Sequence, residues 1–278
     1  MQSTTTGRGS GTTTTTTTRS NVEDGKNDDG EDKYPNVSRT HHDKENQRES
    51  DFIMKEMIKL IRKMCFMLEL SPITSCTALY YFHYYCLKFV EREEYDVTLI
   101  ACACVFLACK TEEQVRRVRD VINCMWKVLN PESEPLELWH DELFNLKDSV
   151  IGYESVMMRC LKFRLTVNHP FKYILGYCGA LQGFNNFKVE NYFVQFCFQL
   201  AHKAYDTVCC VKYNCYEIAA SMIFLAAQLL DIKELLPNED ELSTAQLCDE
   251  NTKPQWFTVF NVDYRTILEI TSQVREVI

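Results

Sequence analysis

An eleven-residue segment occurs twice in this chain, and the two copies begin 118 positions apart, at Ile100 and Ile218. Five of the eleven positions are identical, and the others are small or apolar in both copies except at the last position. A repeat of this kind indicates a duplicated domain. Each copy is apolar around the whole circumference of a helix, which is typical of a buried helix. The sequence therefore predicts two similar domains, each built around one such helix.

The two copies differ in charge only at their last residue, which is Lys110 in the first copy and Gln228 in the second. A cation at the end of a buried helix needs either solvent or a partner. Since only the first copy has this cation, we expect the first domain to have a role that the second lacks.

Length and composition agree with two domains and narrow the class of protein. The chain has 278 residues, of which 46% are hydrophobic, and its net charge is −9. Two domains of roughly 100–120 residues plus a tail fit this length. A nucleic-acid-binding protein usually shows a basic surface, so the net charge argues against direct binding to nucleic acid.

The fourteen cysteines predict neither disulfide bonds nor a metal site. Many lie inside apolar helical segments, and no Cys-x-x-Cys pair or Cys/His cluster with zinc spacing is present. Cysteines of this kind act as small core residues in reducing compartments. We therefore expect an intracellular protein, in the nucleus or cytoplasm or both, without metal or cofactor. No apolar run reaches the roughly 20 residues that span a bilayer, so no membrane contact is expected.

Periodicity predicts an all-α fold in which a disordered tail, residues 1–50, precedes two five-helix domains, residues 51–168 and 169–278. The tail is rich in Thr and polar residues and has little that could enter a core. Its Lys44-Glu45-Asn46 matches a short degradation signal, although three residues match easily by chance. Apolar residues recur at helical spacing from Phe52 onward, and the alternation typical of strands is scarce.

A carboxylate on an apolar stripe is the sharpest local anomaly. The predicted helix over residues 141–161 carries a stripe at helical spacing, and Glu154 falls on it; the apolar members are Leu143, Leu146, Val150, Met157 and Leu161. A buried carboxylate is costly unless it is paired. Lys110 would satisfy it. Two alternatives stay open: Lys110 could simply complement the helix dipole, and Glu154 could reach solvent at the edge of the stripe.

These residues resemble a known family. The segment 106–113, Phe-Leu-Ala-Cys-Lys-Thr-Glu-Glu, is similar to the cyclin signature, and Glu154 with the residues up to Pro170 is similar to the glutamate helix of the same fold. The resemblance covers residues 52–278 and implies two tandem five-helix cyclin folds. It also implies a regulatory subunit that binds and activates a cyclin-dependent kinase as a heterodimer. The kinase-binding residues that it implies are Lys110, Glu154, Leu107, Met158, Phe163 and Leu165.

The segments 115–123 and 167–170 resemble transcription-associated cyclins, closest to cyclin Q (also called cyclin M) and next to cyclin L. The chain departs from the family in three places. Its first helix lacks the Met-Arg-Ala-Ile-Leu motif, Thr111 replaces a common aromatic residue, and Asn214-Cys215 replaces two prolines. None of these departures removes the lysine–glutamate pair.

Two other functions are weaker alternatives. A general transcription factor with tandem cyclin folds would bind nucleic acid through a basic face, which the net charge of −9 opposes. An enzyme would need catalytic motifs; His202 and Asp206 share a helix face, but they are better explained as a polar stripe.

Three arginines near the fourth predicted helix, Arg116, Arg117 and Arg119, have two possible explanations. They could be solvated or paired with nearby acidic residues. They could also form a secondary site for an anion or a partner, since guanidinium groups suit phosphate.

Overall fold

The computed structural model describes residues 41–89, 96–137, 141–184, 187–236 and 256–278. The Thr-rich segment lies outside these residues, so the disorder of the tail stays a prediction. Helix α1, His41–Met67, includes Lys44-Glu45-Asn46 and begins before the boundary expected at residue 50. The reason is that residues 41–50 are rich in helix-forming polar residues but carry no apolar periodicity.

The described residues are helical and contain no strand, which confirms the predicted all-α class. The first half continues after α1 with α2 (Pro72–Phe89), α3 (Val97–Thr111), α4 (Val118–Leu129) and α5 (Asp141–Cys160). The second half contains α6 (Phe171–Leu181), α7 (Asn191–Ala204), α8 (Cys209–Lys212), α9 (Cys215–Leu229), α10 (Trp256–Val259) and α11 (Tyr264–Arg275), with a 3-10 turn at Lys233–Leu235.

The repeated segments form α3 and α9, and the ends of these two helices correspond residue for residue under the 118-position shift. Ten consecutive residues are buried in each, 100–109 and 218–227. Each helix begins at an N-cap at the corresponding position, Asp96 or Asn214. Each is followed by a residue in the left-handed region, Glu113 (φ 57°) or Asp231 (φ 52°). The duplication is therefore present in the structure as well as in the sequence.

Two hydrophobic cores surround these helices. The first contains residues of α1–α5 around α3, and the second contains residues of α6, α7, α9 and α11 around α9. Tyr205 and Cys210, from the second half of the chain, belong to the first core. The residues from Glu45 onward form one compact unit. The domain boundary at residues 168 and 169 stays a prediction.

A buried ion pair joins the two halves. Arg62 of α1 donates from Nε and Nη2 to Asp206 Oδ1, at 2.8 and 2.7 Å, and from Nη2 to the carbonyl oxygen of His202 at 2.6 Å. The side chains of Arg62 and Asp206 are only 20% and 14% exposed. The polar face that the sequence indicated at residues 202 and 206 thus contacts the first half of the chain.

A chain of hydrogen bonds also crosses between the halves at Tyr205. His169 Nδ1 lies 2.8 Å from the Tyr205 hydroxyl, and His169 Nε2 lies 3.1 Å from Thr77 Oγ1. Thr77 donates to Glu112 Oε1 at 2.7 Å. Because the single Thr77 proton goes to Glu112, Thr77 accepts from His169, and His169 accepts from Tyr205. This assignment needs a neutral imidazole, and burial lowers the pKa of His169.

Replacing Arg62 by Met should destabilise the protein by about 2–4 kcal/mol, because Asp206 would lose its main buried cationic partner. The free energy of unfolding in urea measures this loss. The control is Lys59→Met, since Lys59 pairs with Glu56 on the surface of the same helix and is 66% exposed. That variant should lose less than about 1 kcal/mol. Equal losses would contradict a structural role for the Arg62–Asp206 pair.

A second prediction concerns pH. His83 Nε2 donates to the Tyr205 carbonyl oxygen at 2.9 Å, and burial lowers the pKa of His83 from 6.5 to about 4. Between these pH values the unfolded chain takes up a proton that the folded chain does not, so stability falls as the pH decreases from 6.5 toward 4. His83→Gln keeps a donor but cannot titrate. The wild type should lose about 2 kcal/mol more than this variant between pH 7 and 4.5; parallel stability curves would refute the assignment.

Candidate functional site

Lys110 and Glu154 form an ion pair between the end of α3 and the middle of α5. Lys110 Nζ lies 2.6 Å from Glu154 Oε1 and 2.9 Å from Oε2. The Glu154 side chain is 7% exposed, whereas the Lys110 side chain is 44% exposed. The pair expected from the sequence is therefore present, and it presents its cation to solvent.

The ammonium group of Lys110 also lies 4.1 Å from the centre of the Phe106 ring, one helical turn earlier. A cation over an aromatic face is attracted to the ring. This contact was not predicted from the sequence, although the spacing of four residues on a helix is the signal that indicates it. Together Glu154 and Phe106 hold Lys110 in one place at the surface.

The pair keeps hydrogen-bonding capacity beyond its own two contacts. An ammonium group has three donors, and a carboxylate accepts at several positions. The two contacts with Glu154 leave donor capacity at the 44% exposed ammonium group and acceptor capacity at a carboxylate that is only 7% exposed. A backbone segment with unpaired carbonyl and amide groups, such as the end of a helix, fits this capacity.

Of the predicted apolar contacts, Met158 lies on α5 one turn after Glu154, and Phe163 and Leu165 lie shortly after the end of α5. Phe163 is 68% exposed, while Met158 and Leu165 are half-buried against the first core. Lys162 and Phe163 are both in the left-handed region, at φ 51° and 57°. That conformation costs roughly 1–2 kcal/mol for each residue with a side chain. The strained turn places the Phe163 ring in solvent.

Leu107 is placed differently from the other predicted contacts. Its side chain is 1% exposed and packs in the first core. Leu107 therefore attaches α3 to the first core and does not line the surface. Its contact with a partner stays a prediction.

Two exposed apolar residues of α5 were missed by the sequence analysis. Phe144 is 62% exposed and Ile151 is 41% exposed. They are seven residues apart, and Met158 follows after seven more, so the three share one helix face. The apolar surface around Lys110 and Glu154 therefore continues along α5. These residues lie on the face of α5 next to the core stripe, and Glu154 lies between the two faces.

The second half has a different contact at the corresponding position. Gln228 Oε1 accepts a hydrogen bond from Arg275 Nη2 of α11 at 2.7 Å. The first half has a lysine paired with a carboxylate at this position, whereas the second half has a neutral amide paired with an arginine. The two halves therefore share a scaffold but differ in the charged group at the end of the central helix.

The three arginines do not act as one cluster. Arg116 donates to the carbonyl oxygen of Leu68 from Nε at 3.2 Å and from Nη2 at 3.0 Å, which ties it to the residue after α1. Arg119 Nε lies 3.6 Å from Asp120 Oδ1, and Arg117 is exposed. Arg116 is thus structural, whereas Arg117 and Arg119 keep accessible guanidinium groups.

Burial raises the pKa of most described cysteines, for example to about 12 in Cys76 and Cys86. The thirteen described cysteines are all free. Within the described residues, no group of three His, Cys, Asp or Glu side chains is arranged to hold a metal ion. In the same part of the chain, every helix is too short or too polar to cross a bilayer.

Comparison with known proteins shows that this chain is similar to members of one family. Residues 30–166 match the family model described as "Cyclin, N-terminal domain". Cyclin-L2 of Homo sapiens is 30% identical over 221 residues, which cover 78% of this chain and 38% of that protein. Cyclin-T1-5 of Arabidopsis thaliana is 25% identical over 236 residues, which cover 82% of this chain and 37% of that protein. The chain thus spans well under half the length of these relatives.

Solved structures share the fold. A chain of the yeast RNA Pol II CTD kinase CTDK-1 complex matches with a TM-score of 0.62 and 19% identity, over 82% of this chain and 66% of that one. A chain of the yeast TFIIK (Kin28/Ccl1/Tfb3) complex matches with a TM-score of 0.54 and 20% identity, over 84% and 88%. At these identities the likeness establishes the fold alone.

Replacing Arg116 and Arg117 separately should distinguish their roles. Arg116→Ala should lower the free energy of unfolding by about 1–2 kcal/mol, because the Leu68 carbonyl loses its donor. Arg117→Ala should leave stability within about 0.5 kcal/mol. Thermal unfolding of both variants measures this difference. A larger loss for Arg117 would contradict the division.

Proposed function

We propose that this chain, a member of the cyclin family, is the regulatory subunit of a cyclin-dependent protein kinase. It would bind the mobile regulatory helix of the kinase through the surface around Lys110 and Glu154. The observation that carries the proposal is the Lys110–Glu154 pair, in which the carboxylate is buried and the lysine is 44% exposed, together with the 68% exposed Phe163 shortly after α5.

The proposed mechanism is differential binding. A kinase is active when its regulatory helix lies inward, so that its lysine–glutamate pair and its metal-binding aspartate are aligned. Lys110 and Glu154 would hydrogen-bond the backbone at the end of that helix, while Met158, Phe163 and Leu165 would pack against its side chains. A surface that fits only the inward helix shifts the population toward the active state. The cyclin would supply binding energy and no catalytic group.

The relatives support a transcription-associated kinase as the partner. The curated proteins that this chain resembles are cyclins of the L and T types, and the similar solved structures belong to kinase complexes. Within this class, the residues at 115–123 and 167–170 favour a cyclin Q-type subunit, acting in the nucleus or cytoplasm or both. Arg117 and Arg119 would then offer a secondary contact to an acidic or phosphorylated segment of the partner.

Replacing either member of the ion pair tests this proposal. Lys110→Ala and Glu154→Ala should each weaken kinase binding by about 2–5 kcal/mol, because each leaves the other charge unpaired in the interface. The probe is the cyclin-dependent kinase that co-purifies with the tagged chain, identified by mass spectrometry and then purified for titration calorimetry. Kinase activity toward a fixed peptide should fall in parallel.

The matched control is Gln228→Ala, at the corresponding position of the second half. It removes the hydrogen bond to Arg275 but should leave kinase affinity within about threefold. Circular dichroism of the three variants is the control that checks that each is folded. Equal losses for Lys110 and Gln228 would refute the assigned division of labour between the two halves.

A further inference from the structure

Tyr81 is a buried residue of α2 that contacts both sides of the candidate site. Its side chain has no exposed surface. Its hydroxyl lies 2.6 Å from the carbonyl oxygen of Leu165 and 3.2 Å from Thr111 Oγ1. Thr111 directly follows Lys110, and Leu165 ends the turn that presents Phe163. One hydroxyl group therefore joins the end of α3 to the apolar part of the site.

The donors and acceptors around this hydroxyl define its main bond. Thr111 Oγ1 lies 3.1 Å from the Ala108 carbonyl oxygen, to which it donates its own proton. The single Tyr81 proton is shared between Leu165 O, the nearer acceptor, and Thr111 Oγ1, the more distant one. Burial raises the pKa of Tyr81 to about 12, so at neutral pH the hydroxyl keeps this proton. Tyr81 thus acts as a fixed donor to the backbone of the turn.

The turn needs such an anchor because its own bonds are local. The amides of Lys162, Phe163 and Arg164 donate to Arg159, Met158 and Leu161, at 2.9, 2.9 and 3.0 Å. These bonds shape the turn but do not fix its position relative to α3. A backbone with two successive left-handed residues persists only where its surroundings hold it. Tyr81 supplies a hydrogen bond to the turn from a separate helix.

Helix α2 is itself held in place by hydrogen bonds to other parts of the chain. Thr77, one turn before Tyr81, donates to Glu112 at the end of α3 and contacts His169 at the start of the second half. Two buried side chains of α2 thus hold residues 111 and 112 together with Leu165. The position of Phe163 relative to Lys110 then depends on α2 as well as on the direct packing of α5 against α3.

We propose that Tyr81 is a positioning residue, whose hydroxyl sets where Phe163 and Leu165 stand relative to the Lys110–Glu154 pair. This inference rests on the proposed function, because it assigns these residues to one kinase-binding surface. Tyr81 itself stays buried and touches no partner. Its effect on binding is therefore carried by the turn.

The first measurement uses the protein alone. Tyr81→Phe removes one hydroxyl and keeps the ring, and the control is Tyr80→Phe on the same helix. The Tyr80 ring stacks on Tyr84, and the Tyr80 hydroxyl donates no hydrogen bond among the described residues. Hydrogen–deuterium exchange of the full chain should be roughly three- to tenfold faster at residues 163–166 in Tyr81→Phe, and unchanged in Tyr80→Phe. Unchanged exchange in both variants would overturn the proposal.

The second measurement is a double-mutant cycle on kinase affinity with Phe163→Ala, below the unfolding temperature of each variant. In the wild-type background Tyr81→Phe should raise the dissociation constant roughly three- to tenfold. In the Phe163→Ala background this effect should be much smaller, because the positioned ring is gone. An equal effect in both backgrounds would indicate a merely structural role and overturn the proposal.

Lys110→Ala separates this proposal from the proposed function. If Lys110→Ala weakens kinase binding and Tyr81→Phe does not, the positioning role is wrong and the kinase-binding function stands. If neither variant changes kinase affinity, the proposed function fails, and the kinase part of this inference fails with it. The exchange measurement still decides whether Tyr81 holds the turn.

Discussion

Burial of α3 on every side is the constraint on which the first half depends. Ten consecutive residues of this helix are buried, so other helices must cover it, and α2, α4 and α5 pack against it. A charged side chain can then be placed on the helix only near its ends. This is why the one charge of the segment, Lys110, stands in the last turn, and why its partner Glu154 comes from the helix that packs most extensively against α3.

The second half is also built around a helix that is buried on every side, but a different group stands at the end of that helix. Helix α9 has the same length, cap positions and left-handed end as α3, because burial of an apolar helix leaves few other solutions. The chemistry at its end is free to vary, since that end reaches solvent in both halves. There Gln228 meets Arg275, so the duplicated scaffold carries two unlike surfaces.

Polar groups buried between the halves join the two cores into one unit. Tyr205 enters the first core and is held through its hydroxyl and its carbonyl oxygen by His169 and His83. Arg62 adds a charged contact to Asp206. Buried polar groups are stable only when all partners are in place. The second half therefore helps to position α2, and α2 in turn holds the turn beside the candidate site.

The sequence by itself determined the helical class and the two central helices, and it indicated Lys110 and Glu154 as a candidate pair. Each of these follows from local periodicity or from one charge on an apolar stripe, which burial makes costly to leave unpaired. Tertiary structure alone decided that Phe163 stands in solvent, that Arg62 binds Asp206, and that Tyr81 holds Leu165. The last two contacts join residues 144 and 84 positions apart. No periodicity specifies such pairs, because the packing of whole helices determines which side chains meet.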